Sequence, residues 1–249
     1  MSSIAGSDEG YRSRVYAKYV TARGDIPPSG VSAFAPRAAY LRRIIRSHFP
    51  ADRDARIIEL GCGHGALIYF ASKAGYRNIE GVDRSREQVA VARRLNIGGV
   101  REGDLMEALS SIPAGSRDAV VAFDVIEHFR KHEITALVDE VFRVLRPKGR
   151  FLIHTPNGES PFGSRMRYWD FTHEIAFTRE SIGQLLLSSG FSLVKCYEDS
   201  PAPHGIKSSI RWLLWKGIRT VLRLYLAVET GDPASHAIFS QNFLAVAVK

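Results

Sequence analysis

From residue 56 onward, short apolar runs alternate with helical patterns, and this alternation most constrains the fold. "RIIEL" (56–60) reads as a buried strand and residues 65–74 as a helix. "NIEGVD" (78–83) is a second strand, followed by "SREQVAVARRL" (85–95), a helix capped by Ser85. "VREGD" (100–104) is a third strand, and "RDAVVAFDVIEH" (117–128) opens with a fourth. "EITALVDEVFRVL" (133–145) is an amphipathic helix stopped by Pro147 and Gly149. "RFLIHTPN" (150–157) is a fifth strand, residues 178–190 a helix with a Thr-x-x-Ser start that falls short of a full capping box, and 191–198 a sixth strand. "NFLAVAVK" (242–249) is a seventh. Strands alternating with helices predict an α/β, doubly wound, mostly parallel sheet. The 249 residues are enough for one such domain, and no internal repeat is found.

Three segments stand outside the alternation. Residues 1–50 are a Tyr- and Arg-rich lead-in, with a turn at "GDIPPSG" (24–30) and a helix expected at 36–49. Residues 157–177 form a long loop, and residues 199–241 an insert before the last strand. Such lengths in compact domains mark lids or other functional segments. The start "MSSIAGSDEGYRSR" lacks an apolar core, so no signal peptide is expected, and no apolar run reaches the roughly 18 residues of a spanning helix. Two cysteines, Cys62 and Cys196, make no disulfide framework, so a reducing cytoplasm is expected. The formal charge of +8 suits an anionic partner, or simply a solvated surface.

The first strand runs into "ELGCGHG" (59–65). Ligands of an open α/β sheet sit beyond the carboxyl ends of its strands. Gly61 and Gly63 lack a Cβ and let the backbone turn sharply against a ligand. Glu59 precedes them, and a carboxylate repels pyrophosphate and attracts a cation. Asp83, at the end of the second strand, can accept both hydroxyls of a ribose. At the end of the third, the Asp104 carboxylate and the Leu105 N–H can read the amino edge of adenine. The strand ends therefore offer adenine, ribose and cationic-tail recognition, with no evident phosphate cradle.

The blocks "ELGCGHG" (59–65), "GVDRS" (81–85), "GDL" (103–105), "FDVIEHF" (123–129) and "VLRPKGRFLIHTPN" (144–157) resemble those of class I S-adenosylmethionine-dependent methyltransferases. The likeness covers roughly residues 50–198 and the final strand. It implies a Rossmann-like, seven-stranded, mostly parallel sheet with an antiparallel last strand, in a single domain over 1–249. It implies S-adenosylmethionine as cofactor, with Glu59, Gly61 and Gly63 at the methionine end. Asp83 then holds the ribose, Asp104 and Leu105 the adenine, Asp124 borders the methionine moiety, and Cys62 and Arg84 also count among the cofactor-binding residues.

An oxygen acceptor would need a proton acceptor, and His128 and His173 are the candidates. Asp124, Glu127 and His128, at i, i+3 and i+4, share one face if a helical turn starts there and would then suit a divalent metal; this alternative, seen in ubiquinone-type O-methyltransferases, is not favoured. The chain lacks the Asn-Pro-Pro-aromatic pocket of base N-methylating enzymes after the fourth strand, so nucleic acid is not the favoured acceptor. Residues 167–191 resemble methyltransferases of bacterial glycan and small-metabolite pathways. A sugar, glycan precursor or lipid-linked metabolite is therefore the expected acceptor, with Tyr168, Trp169 and Phe171 packing on it or closing the lid. The rivals are a quinone-type or other small-molecule methyltransferase and a non-catalytic scaffold that binds the cofactor. Residues 205–231 read as an amphipathic helix with a basic face. Packing on its own core is the favoured expectation; peripheral contact with the inner face of a membrane, or a partner subunit, is the alternative.

Overall fold

A computed structural model describes residues 8–24, 26–232 and 236–249. The first seven residues of the leader reading, one residue of the 24–30 turn and part of the 199–241 insert lie outside them.

Seven strands form one sheet: β1 Ile57–Leu60, β2 Ile79–Asp83, β3 Val100–Glu102, β4 Arg117–Phe123, β5 Leu145–Pro156, β6 Leu193–Glu198 and β7 Asn242–Val248. Their spatial order is β3-β2-β1-β4-β5-β7-β6. β1 pairs in parallel with both β2 and β4, while β7 runs antiparallel between β5 and β6. The strand order reverses between β1 and β4, which is where such a sheet opens a crevice at its carboxyl edge.

The helices are α1 Asp8–Tyr16, α2 Tyr19–Arg23, α3 Ala35–His48, α4 Ala66–Lys73, α5 Arg86–Arg94, α6 Leu105–Ser110, α7 Lys131–Val144, α8 Gly163–Arg167, α9 Arg179–Ser188 and α10 Ile206–Thr230. One apolar layer lies under α7 and α9, with Leu137, Val141 and Leu186 buried against Phe151 and Phe243. The other lies under α3 and α4, with Leu41, Ile45 and Ile68 against Ile57 and Val121. β1 and β4 are buried on both faces, as parallel strands covered by helices must be.

Besides the unforeseen helices α1, α2 and α8, the structure departs from the sequence expectation in four places. α6 was not foreseen: Asp104 caps it, accepting hydrogen bonds from the Met106 and Glu107 N–H groups. Lys131–Val144 does not need Pro147 to stop it. The chain leaves the helix directly into β5 at Leu145, and Lys148 turns with φ of 66°. Thr178 and Ser181 complete a reciprocal cap at α9, each hydroxyl accepting from the other residue's N–H. The fourth is α10, whose apolar side faces solvent. Ile206, Leu213, Leu224 and Val228 are among its exposed residues and Ser208 is its only buried one, so packing on the core does not account for its apolar stripe.

Candidate active site

The turn after β1 lies directly against β2 and the start of the next loop. Gly61 and Cys62 both donate to the Val82 carbonyl. Gly61 has φ of 64°, and a Cβ there would stand 2.4 Å from a methyl of Val125. Any side chain would therefore be strained and clash, which explains the glycine. Gly81 has the matching role in β2, where a Cβ would meet Cys62 at 2.6 Å.

A cavity of about 600 Å³ opens over this turn. Gly61, Gly63, Asp83, Arg84, Asp104, Leu105, Asp124 and His128 all lie on its wall. Asp83 is held by its own loop: Oδ2 accepts from the Gly63 N–H and Oδ1 from the Ser85 N–H, each at 2.7 Å. Burial raises its pKa despite those bonds. Asp104 uses Oδ1 to cap α6, so its role at this edge is shared with the helix.

Glu59 and Cys62 are placed differently from the other turn residues. Neither side chain lines the cavity. Cys62 packs among Ile68 and Leu67 in the apolar layer, and burial pushes its thiol pKa far up. Glu59 is buried beneath the turn with Oε2 lacking a partner, and burial holds its carboxyl well above the usual range. Arg37 on α3 pulls the other way. An orphan carboxylate oxygen behind a glycine turn fits a cationic ligand group and not a phosphate.

The N-terminal helices roof this cavity. Arg12, Tyr16 and Tyr19 are on its wall. Arg12 donates to both Glu133 oxygens at 2.9 Å and reaches Glu174 at 3.3 Å, and Tyr11 also bonds Glu174. Tyr19 donates to Asp170 at 2.8 Å, and the Val20 N–H donates to Glu87 at 2.8 Å. The roof is thus tied to α5, to α7 and to the 157–177 loop by charged bonds. The loop contributes its polar residues to this: Asp170 and Thr172 are buried, whereas Tyr168, Trp169 and Phe171 point outward. The aromatic side chains do not line the cavity.

Of the two sequence-predicted histidines, His128 is on the wall and His173 stands behind it, with rings 4.7 Å apart. Thr172 gives its hydroxyl proton to Asp170 Oδ1 at 2.7 Å, so it must accept from His128 Nδ1 at 2.7 Å. That fixes the proton on Nδ1 and leaves the Nε2 lone pair free. Burial and the nearby His173 push the His128 pKa down to about 4, so the ring is neutral at pH 7. His173 donates Nδ1–H to the Met166 carbonyl, which leaves its Nε2 free, 4.0 Å from Glu127 Oε1. Glu127 is fully buried, accepts from Thr155 through Oε2 and has no partner on Oε1, and burial with Asp124 nearby raises its pKa well above the carboxylate range.

One ligand atom each from Glu127, His128 and His173 lies within 4.8 Å of the other two. This set differs from the one expected. Asp124 has turned away from it, and His173 stands in its place. Glu127 with two imidazoles suits a divalent ion by donor chemistry. Such an ion would act there as a Lewis acid beside the cavity.

Asp124 adopts φ of 55°, uncommon for an aspartate. Its Oδ1 meets His154 Nδ1 at 2.6 Å, and His154 Nε2 reaches Asp199 Oδ2 at 3.4 Å. Burial opposes the charge on His154, but the two carboxylates override it and raise its pKa to about 10. Burial would likewise raise Asp124, and the His154 cation lowers it instead. The Asp124 side chain is 45% accessible because it faces two cavities. The second, of about 440 Å³, is lined by Arg37, Tyr40, His154, Asp199, Ser208 and Arg211 among others. Sequence reasoning missed this second chamber. Its one legible signal was a histidine inside the apolar run "FLIHTP".

A family model described as methyltransferase domain matches residues 34–196. A probable S-adenosylmethionine-dependent methyltransferase of Mycolicibacterium smegmatis is 34% identical over 148 residues, covering 59% of this chain and 55% of that protein. The ubiquinone biosynthesis O-methyltransferase of Xanthomonas axonopodis pv. citri is 30% identical over 107 residues, 41% of this chain and 44% of that one. The chain spans about half the length of the curated relatives it matches. Among solved structures, a SAM-dependent methyltransferase from Archaeoglobus fulgidus superposes with a TM-score of 0.63 at 18% identity, covering 85% of this chain and 94% of that one. That likeness speaks for the fold alone.

Proposed function

This chain belongs to the family of S-adenosylmethionine-dependent methyltransferase domains, and from that premise we propose that it methylates a hydroxyl on a sugar, a glycan precursor or a lipid-linked metabolite. The observation that carries the reading is the row of carboxylates along one cavity. Asp83, Asp104 and Asp124 stand at the ends of β2, β3 and β4 with the unpaired Glu59 beneath. That row repels a pyrophosphate and suits an adenosyl group with a cationic tail.

The donor supplies its own electrophile, a methyl group on a sulfonium. The chain's residues bind, orient and exclude water. Asp83 receives the ribose hydroxyls, Arg84 borders them, and Asp104 and Leu105 receive the adenine. Gly61, Gly63 and the Cys62 backbone bring the turn close to the methionine end, and Asp124 flanks it. His128 offers Nε2 to the acceptor hydroxyl and takes its proton as the oxygen attacks. Its low pKa keeps it neutral, and therefore ready to accept, at any pH above about 4. Asp170, reached through Thr172, and Asp124 favour the positive ring that forms, while His173 opposes it. Were a divalent ion present, Glu127, His128 and His173 would hold it and it would acidify the same hydroxyl.

S-adenosylmethionine should raise the melting temperature of the purified protein and NAD should not. No shift with the former would remove the cofactor assignment. With an acceptor in hand, His128→Ala should lower kcat with little change in cofactor affinity, and full turnover in that variant would remove the base assignment.

A further inference from the structure

The exposed side of α10 is not explained by the methyl-transfer site. At about 100° per residue, Ile206, Ile210, Leu213, Leu214, Ile218, Val221, Leu224, Tyr225 and Val228 fall within an arc of roughly 140°. All nine are more than half exposed. Gly217 lies in the middle of the arc. The opposite side holds the helix to the domain: Ser208 is buried, Trp215 and Leu222 are half-buried, and Arg219 pairs with Glu198 at 2.7 Å. The inward side thus mixes Ser208 and Arg219 with Trp215 and Leu222, while a continuous apolar stripe faces outward. A stripe of nine large side chains along a helix of about 37 Å exceeds what a soluble monomer leaves open.

We propose that this stripe lies on an anionic membrane surface. Charge names the occupant. The helix carries five Lys and Arg residues against a single acid, Glu229. Lys207 sits within the edge of the stripe, Arg211 borders it on that side and Lys216 flanks it on the other, and all three are exposed. Apolar residues flanked by cations match acyl chains beneath acidic headgroups. A second copy of the chain fits less well. The arc is broader than the seam of a helix pair, and like charges line both of its borders. The helix does not cross the bilayer: no helix among the described residues is long and apolar enough to do so.

The placement also bears on the acceptor, in a clause that rests on the proposed methyl transfer. Ser208 and Arg211, in the first turns of α10, line the second cavity, which meets the first at Asp124. A helix resting on the membrane would set the mouth of that chamber at headgroup level, where a lipid-linked acceptor is presented.

The test uses the whole protein and sedimentation with vesicles of phosphatidylcholine alone or mixed with phosphatidylglycerol. Wild type should pellet with the anionic vesicles and bind the neutral ones roughly tenfold less, with binding weakened by salt. The double variant Leu213→Glu, Leu224→Glu replaces two solvent-exposed side chains. It should keep its melting temperature and its S-adenosylmethionine affinity and lose vesicle binding. Wild type remaining in the supernatant, or a variant that binds as wild type does, would overturn the proposal. So would light scattering that shows a wild-type dimer which the two glutamates dissociate, because the stripe would then belong to a second copy. Cofactor affinity, measured on the same samples, reports on the methyltransferase reading separately.

Discussion

Asp83 commits both of its oxygens to backbone N–H groups, yet it remains on the cavity wall with lone pairs to spare. Those bonds aim it, and Asp83→Ala should weaken S-adenosylmethionine binding by about tenfold or more in titration calorimetry. Unchanged affinity would refute the ribose role. Glu59 makes a different prediction. Burial holds its pKa well above the usual carboxylate range, and a cationic group of the ligand favours its ionised form. Binding should then release a proton, so affinity should rise with pH until Glu59 ionises unaided. Calorimetry in two buffers of different ionisation enthalpy measures this, and proton release should vanish in Glu59→Gln. His154 couples stability to pH in the opposite sense. Its folded pKa of about 10 lies above the ordinary value near 6.5, so its contribution is complete below about pH 6.5 and is lost as pH rises through about 10. Asp124→Asn should cost about 2 kcal/mol, less than a fully enclosed pair because Asp124 faces the cavities, and should flatten the decline between those pH values. A melting profile with no alkaline decline in wild type would contradict the pairing.

Between elements, the roof formed by α1 and α2 is held by charge more than by apolar burial. Val20 is its one buried apolar residue among those described, while Arg12, Tyr19 and the Val20 N–H engage Glu133, Asp170 and Glu87. Such a lid opens more readily than a packed helix. Arg12→Ala should raise the cofactor dissociation rate by roughly fivefold to tenfold in stopped-flow displacement, and high salt should reproduce part of that in wild type. A rate unaffected by either would mean that the roof does not gate the cavity. The strands and most of the helices were legible because each carries its own periodicity. α6 was not, since six residues are too few for a helical pattern and Asp104 was read only as a ligand group. The second chamber was not legible either. It joins α3, β5, the segment after β6 and α10, and only pairing across the sheet brings His154 between Asp124 and Asp199.

On the scale of the whole molecule, Gly61, Gly63, Asp83, Asp104 and Asp124 come together because each strand of the first half ends on the wall of one cavity. The loop aromatics do not join them. Tyr168, Trp169 and Phe171 had the composition of a sugar-binding roof, but the fold turns them outward and uses Asp170 and Thr172 inward. The amphipathicity of α10 was legible, yet which side faces the domain depends on the Arg219–Glu198 pair and the burial of Ser208. The molecule that results has a roofed cavity at the carboxyl ends of its strands, a second chamber joined to it at Asp124, and an outward apolar helix at the mouth of that chamber. Methyl transfer to a hydroxyl is the claim that joins these parts. Its most direct test incubates the purified protein with S-adenosylmethionine bearing a deuterated methyl group and a membrane-containing extract, read by mass spectrometry. The account predicts a product that gains one labelled methyl on oxygen, absent from the Asp83→Ala control. Cofactor binding without any labelled product would contradict it and leave a cofactor-binding scaffold in its place.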